Sequence, residues 1–527
     1  MDSSEQARRS RHRHGSHPRT PESYRICDGV TEGVLYGMIV FAPWAFGATE
    51  RWSIWTMNIG GYVLGLLLAA KWWIRWRSGY RPVRWGETGG EEALDTEERK
   101  QVGGTRKSNF CGLTTIALAC LTVMVLAYCF ISAVNARSTF IYRQMAFEPH
   151  DYIAWLPHSY DGWATWQAFW MYLAFAFSFW ATRDWLLGKS GPERREARTA
   201  GHGAKESLPL RVSHAGLPTR LRRLLWVLCL NGTALALEAI LQRLSGTNKL
   251  LWLLEPAINQ SAESQFGPYA YRSNAAQYFN LLWPVCLGFW WTLRCAIKSS
   301  SHVGRRLGSG PHVLLMPCAV LLAAAPIIST SRGGALVAIG GILTAAVLLL
   351  FANRRSNWLM RLGTMLLPAA ILGLAGYLGW EKLEKRLMTV FSDDLSGRVE
   401  IYENARQMAR DFPLFGAGPG TFTWVYHLYR SHAGAEWAAY AHDDWLETRV
   451  TFGWAGLALI LAMLAVVFFR RFGTGGIPAH WMFVAMIWLS LAGCLLHARF
   501  DFPFQICSTL ALFLLLCATL FCLSKKA

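Results

Sequence analysis

Charge is what this chain is short of. Only 16% of its 527 residues are Asp, Glu, Lys or Arg, against 53% hydrophobic, and the apolar residues run in long blocks. That balance leaves too little polar surface to cover several soluble domains, and it predicts a polytopic membrane protein. Acidic residues are scarcer than basic ones, 34 against 52. Cysteine is missing where it would cross-link an exposed region. Eleven of the 12 cysteines fall in or at the edge of apolar blocks and none in the loops assigned below to the outer side, so no outer disulfide framework is available. There is no Cys-x-x-Cys and no His-Glu-x-x-His, which removes the usual zinc and redox sites, and no metal or other cofactor is expected. A cleavable signal-peptide pattern is also absent; the first apolar block starts late and reads as an internal start-transfer helix. Only Lys525-Lys526 and Ala527 follow the last apolar stretch closely, so no soluble C-terminal domain is expected.

Twelve blocks reach or approach the roughly 20 residues that span hydrocarbon: about 30–48, 53–73, 110–134, 162–186, 223–242, 276–297, 312–330, 333–352, 362–380, 451–469, 480–496 and 504–523. Blocks seven and eight are divided at Ser331-Arg332, because one helix of about forty residues would overrun a bilayer. The expected fold is an all-α integral membrane protein of about 12 transmembrane helices. A polar tail covers 1–29, helices one to nine lie within 30–380, a large and partly helical loop covers 381–450, helices ten to twelve fill 451–523, and a short tail ends at 527. Twelve spans put both termini on one side. The loops on that side hold most of the Lys and Arg, so the positive-inside rule places both termini in the cytoplasm and 381–450 outside.

The basic run Arg8-Arg9-Ser10-Arg11-His12-Arg13 reads as a juxtamembrane tail facing anionic lipid, with a nucleic-acid arm as the lesser alternative. Segments 75–109 and 188–222 read as cytoplasmic linkers that tolerate insertion and have no catalytic role. In and just after the outer loop 135–161, Trp155, His158, Tyr160 and Trp163 read as interfacial anchors, with a sugar-stacking platform as the alternative.

Three arginines and one histidine fall on the expected outer face. Arg272 closes the loop 243–275; it reads either as a snorkelling arginine at the rim or as a ligand for phosphate. Arg332, in Ser329-Thr330-Ser331-Arg332-Gly333-Gly334, sits between two very apolar segments, where a charge is either paired with a structural carboxylate or functional. Gly333 and Gly334 would leave amides free to face an anion there. Arg398 belongs to Ser396-Gly397-Arg398, which opens a helical rhythm expected to stop before Pro413. His442 stands in Ala441-His442-Asp443-Asp444. A neutral imidazole accepts a hydroxyl proton at working pH, and Asp443, Asp444 or Glu447 would orient the ring, although a loop histidine is more often a plain surface residue. Gly416-Ala417-Gly418-Pro419-Gly420 lacks the third glycine of a dinucleotide fingerprint and reads as turns that shape a lid. The turn His497-Ala498-Arg499-Phe500-Asp501 reads as structural, with an Arg499–Asp501 ion pair.

Together these motifs resemble the O-antigen ligase and O-antigen polymerase superfamily of bacterial membrane glycosyltransferases. The pieces are Ser329 to Gly333, Ser396-Gly397-Arg398, Asp411 to Phe422, His442 to Leu446 and Gly453 to Gly456, most strongly over 265–460. The resemblance implies a GT-C-like helical fold in the cytoplasmic membrane and a glycan donor carried on undecaprenyl diphosphate. It also implies an acceptor hydroxyl on a lipid or glycan, and metal-independent transfer with inversion. By position it implies that Arg272 and Arg332 hold the diphosphate, that Arg398 assists, and that His442 activates the acceptor. Asp443 and Trp445 depart from the usual Asn and Tyr, and the extra carboxylate would raise the basicity of His442. Within the superfamily a ligase and a polymerase share donor chemistry. A lipid-linked glycan transporter would need charges spread along a crossing path, and Glu238 stands almost alone as a mid-helix carboxylate.

Overall fold

The computed structural model describes residues 20–85, 104–194, 217–300, 310–353, 396–431, 437–470 and 480–523, with isolated positions between 358 and 384. Block nine at 362–380, the start of the large loop at 381–395 and the basic run 8–13 lie largely or wholly outside these. Numbering the described elements in order, α1 is Glu22–Trp44, α2 Arg51–Ser78, α3 Gly104–Val134, α4 Gly162–Leu187, α5 Thr219–Ser245 and α6 Arg272–Ser300. After these come α7 Leu315–Ile328, α8 Arg332–Ala352, α9 Ser396–Asp411, α10 Phe422–Tyr426, α11 Asp444–Phe469, α12 Trp481–His497 and α13 Cys507–Leu523.

The chain is mostly helical, and each expected apolar block apart from 362–380 coincides with a helix. Among the described residues, seven helices are long and apolar enough to cross a membrane: α1, α2, α3, α5, α8, α11 and α7 with the 3-10 turn before it. Apolar helices α12 and α13 are 17 residues each. The exposed helix faces carry large apolar side chains. Ile59, Leu66 and Trp76 of α2 and Leu336, Leu343 and Phe351 of α8 are exposed, which suits lipid and would be costly in water.

Helix α6 is the axis of the bundle. Residues 273–290 are buried without interruption, between α7 on one side and α12 on the other, as a helix covered all round must be. Its Asn274, Gln277 and Asn280 are inside, which keeps its mean hydropathy down although it is central. Helix ends follow local chemistry. Ser331 Oγ accepts from the Gly334 amide at the start of α8, and Asp161 caps α4 through the Trp163 amide. Gly79 and Gly246 close α2 and α5 in the left-handed conformation.

The structure moves several expected boundaries. Pro21 precedes a helix that begins at Glu22, so the last part of the expected tail 1–29 is helical. Helix α11 begins at Asp444 rather than 451, because the Asp443 carboxylate accepts from the Trp445 and Leu446 amides and starts the helix early. The loop 135–161 holds an antiparallel hairpin, β1 Ser138–Ile141 paired with β2 Ala146–Pro149. The division at Ser331-Arg332 and the end of α9 before Pro413 fall where the sequence puts them.

The glycine stretch is a packed seam and not a lid. Gly416 to Pro419 are buried, and the Ala417 and Gly418 amides donate to the carbonyls of Val450 and Thr451 at 2.8 and 3.0 Å. Opposite them α11 is broken at Gly453, with φ +60° and ψ −167°, a conformation open essentially to glycine. The amides of Trp454 and Ala455 then donate to Pro413 and Leu414. Two kinked segments thus exchange hydrogen bonds as a short ladder would, and the glycines allow the close approach.

Candidate functional site

Four segments converge where α6, α8 and α11 begin and α12 ends. His442 precedes α11 with φ +53°, a left-handed backbone that costs a residue with a Cβ roughly 1–2 kcal/mol. The turn is held from two sides: Tyr402 Oη of α9 donates to the His442 carbonyl at 3.1 Å, and Glu447 accepts from the Ala441 amide at 2.8 Å. The imidazole is packed edge-on against Phe502 and Tyr271, at centroid distances of 4.9 and 6.4 Å, and these two rings stack on each other at 5.6 Å. About a quarter of the side chain, 24%, stays exposed.

The carboxylate facing the ring is Asp501. Its Oδ1 lies 3.5 Å from His442 Nδ1, while Oδ2 accepts from Ser273 Oγ of α6. Ser331 Oγ donates in turn to Ser273 at 3.1 Å, so the cap of α8 is joined to the histidine through Ser273 and Asp501. Burial alone would push the Asp501 carboxyl up, but His442, His497 and Ser273 outweigh it and hold it below the usual carboxylate range. An ionised Asp501 at Nδ1 favours the tautomer with the proton there, which leaves Nε2 as the acceptor.

This overturns three expectations. Arg499 pairs with Asp443 and not with Asp501. Asp443 therefore does not orient His442: it is spent on Arg499 and on the first amides of α11, and burial raises its carboxyl above the usual range despite both. Asp444 accepts from the Phe504 amide and Gln505, and Glu447 from Ala441, so both tie loops together. The Gly334 amide is likewise not free for an anion, since Ser331 takes it.

The expected arginines are distributed as follows. Arg398, in the first turn of α9, donates to the Phe500 carbonyl at 3.3 Å and lies close enough to Tyr271 and Asp501 to be stabilised by both. Arg272 opens α6, half-buried, with Nη1 on the Glu263 carbonyl at 2.6 Å and its charge felt by Tyr271. Burial pushes the Tyr271 hydroxyl up, and the two arginines only partly offset it. Arg398, Arg272 and His442 are thus gathered about one tyrosine. Arg332, also half-buried, opens α8 next to Ser331, whose hydroxyl reaches Ser273 and through it Asp501. Asp501, Ser273 and Tyr271 escape a reading by motif; the one signal for Asp501 is a compact turn with both charge signs between two apolar helices. Beside the Asp444 side of the turn lies a largely apolar cavity of about 280 Å³ between α3, α4, α11 and α13, which reaches Asp444, Trp445 and Glu447. Among the described residues no three His, Cys, Asp or Glu side chains gather as metal ligands.

A family model described as O-Antigen ligase matches residues 317–461. The match runs from α7 into α11 and includes Arg332, Arg398 and His442, with Arg272 and Asp501 outside it. No curated protein and no solved structure matches the chain. Residues 317–461 carry the motifs quoted above, so the match to the O-antigen ligase family model falls on the same part of the chain as the resemblance.

Proposed function

We propose that this chain is an O-antigen ligase-type glycosyltransferase of the bacterial cytoplasmic membrane. It transfers a glycan from undecaprenyl diphosphate to an acceptor hydroxyl on a lipid or another glycan, in the making of lipopolysaccharide or another surface polysaccharide. In this reading 12 helices span the membrane, both termini are cytoplasmic, and the site faces outward with the loop 381–450. The observation that carries it is the Asp501 carboxylate 3.5 Å from Nδ1 of His442, in a half-buried turn beside Arg398 and Arg272.

The chemistry follows from the groups. The acceptor hydroxyl gives its proton to His442 Nε2 while its oxygen attacks the anomeric carbon from the face opposite the leaving group, so the configuration inverts. Asp501 stabilises the imidazolium that forms. The bond from the anomeric carbon to the diphosphate oxygen breaks, and the electron pair leaves with the lipid diphosphate. Arg272 and Arg332, assisted by Arg398, meet that growing charge as planar forks, so the transfer needs no metal ion. The apolar cavity beside Asp444 suits a hydrocarbon chain of donor or acceptor.

Reconstitution of the purified chain with an undecaprenyl-diphosphate glycan, followed by identification of where the glycan goes, tests this. Transfer to another lipid is the expected result. Growth of the glycan on its own carrier would make the chain a polymerase, and movement across the bilayer with no new bond would make it a transporter and overturn the reading.

A further inference from the structure

At the other end of the helices lies a second polar cluster that the proposed reaction does not use. Helix α5 gives the separation: Arg243 in its last turn donates to the Ser329 carbonyl at 3.0 Å, beside the candidate site, and Arg220 is in its first turn, roughly 35 Å away along the axis. Arg220 binds Asp28 of α1 and donates to the Trp185 carbonyl at 2.8 Å. Arg75 of α2 donates to both oxygens of Asp184 at 2.8 and 2.9 Å, and Arg84 donates to one of them at 2.7 Å. Lys71 Nζ, fully buried at 0% exposed, is shared between Asp184 at 3.0 Å and Asp28 at 3.5 Å. Arg75 Nε is buried without an acceptor.

Among the described residues, four cations thus share two carboxylates. The other nearby acids are engaged elsewhere, Glu193 with the amides of Ser190 and Thr219 and Glu32 with Arg223. Positive charge in excess of its carboxylates in a buried cluster is costly unless an anion joins it. Depth is marked by Trp72, Trp73 and Trp76, exposed on α2 beside Lys71 and Arg75, as aromatic residues at a membrane–water interface are. Segments 75–109 and 188–222, read from the sequence as plain linkers, supply Arg75, Arg84 and Arg220 to this cluster.

We infer that the cluster of Lys71, Arg75, Arg84 and Arg220 is a binding site for the phosphodiester headgroup of an anionic phospholipid. Its excess of charge and the buried Arg75 Nε without an acceptor call for a phosphate, and the tryptophan belt puts it at headgroup depth, where basic groups between helices take such headgroups.

The test uses the full chain in vesicles or nanodiscs of equal phosphatidylcholine and phosphatidylglycerol, with the retained lipid counted by native mass spectrometry. Retention of phosphatidylglycerol over phosphatidylcholine, and a higher unfolding temperature than in phosphatidylcholine alone, are expected. Arg84→Gln should weaken that retention about fivefold. Arg223→Gln removes the same charge from the same end of α5 but outside the cluster, and should leave retention unchanged. Equal retention of the two lipids by the parent chain, or equal effects of the two substitutions, overturns the proposal. The same stabilisation by inorganic phosphate in phosphatidylcholine alone assigns the cluster to soluble phosphate and overturns the lipid assignment.

Discussion

In the glycine seam the residues with positive φ are Gly416, Gly418, Gly420 and Gly453; around the histidine turn they are His442 at +53° and Thr330 at +60°. At the seam a Cβ has no room. One placed on Gly453 would meet the Leu414 carbonyl, and one on Gly416 the backbone of Thr451. The left-handed backbone there is architecture, supplied by the one residue that adopts it without penalty. At the turn the same backbone is imposed on residues with side chains, and it persists because Tyr402, Glu447 and Asp443 hold the turn from different elements. Strain carried by a side chain that chemistry can use points to function, whereas strain relieved by glycine points to packing.

The sharpest way to break this comparison is His442→Gly. The substitution removes the backbone penalty along with the imidazole and its packing, so the variant should remain folded while transfer falls by about 10² to 10⁴-fold. A variant that is inactive because it is unfolded would show His442 to be part of the architecture. Asp501→Asn comes next, keeping size and an acceptor for Ser273 but losing charge; transfer should drop by about a hundredfold. The stability difference from the parent carries its own signature. The Asp501 carboxyl is held below its ordinary value in the folded chain. Its contribution is therefore fully present above the unfolded value, about 4, and is lost as pH falls through the folded value. Unfolding temperatures of parent and variant should differ by a constant amount from about pH 8 to 5 and converge only below about pH 4.

Gly453→Ala tests the other half of the comparison. It should cost about 1–3 kcal/mol of stability, seen as a lower unfolding temperature, with transfer per folded molecule unchanged. The smallest effect belongs to Arg499→Gln. Its side chain is 53% exposed although paired with Asp443, so its loss should cost about 0.5 kcal/mol or less and leave the rate alone. A fall in rate would mean that Asp443 acts on His442 after all.

What was legible in the sequence is what depends on neighbours along the chain. Apolar block length placed the helices, Ser331 announced the cap that separates α7 from α8, and Pro413 set the limit of α9. Contacts that depend on how the helices pack were not legible. Asp501 and Arg499 sit two residues apart with opposite charge, an arrangement that suggests a mutual pair, yet they point to His442 and Asp443, because Asp443 caps α11 while His442, just before it in the left-handed conformation, turns to another side. Gly416 to Gly420 announced turns but could not say which backbone they approach, since the partner is a break in α11 at Gly453. The four cations of the opposite cluster come from two separate stretches of chain, 71–84 and the start of α5, and only the packing of α1, α2, α4 and α5 reveals that they outnumber the described carboxylates.

The most direct test of the central claim is to measure donor binding and glycan transfer in one preparation of His442→Gly, using the undecaprenyl-diphosphate glycan. If His442 is the base and the arginines hold the diphosphate, donor affinity is retained and transfer is lost by at least about a hundredfold. Transfer near the parental rate would contradict the account.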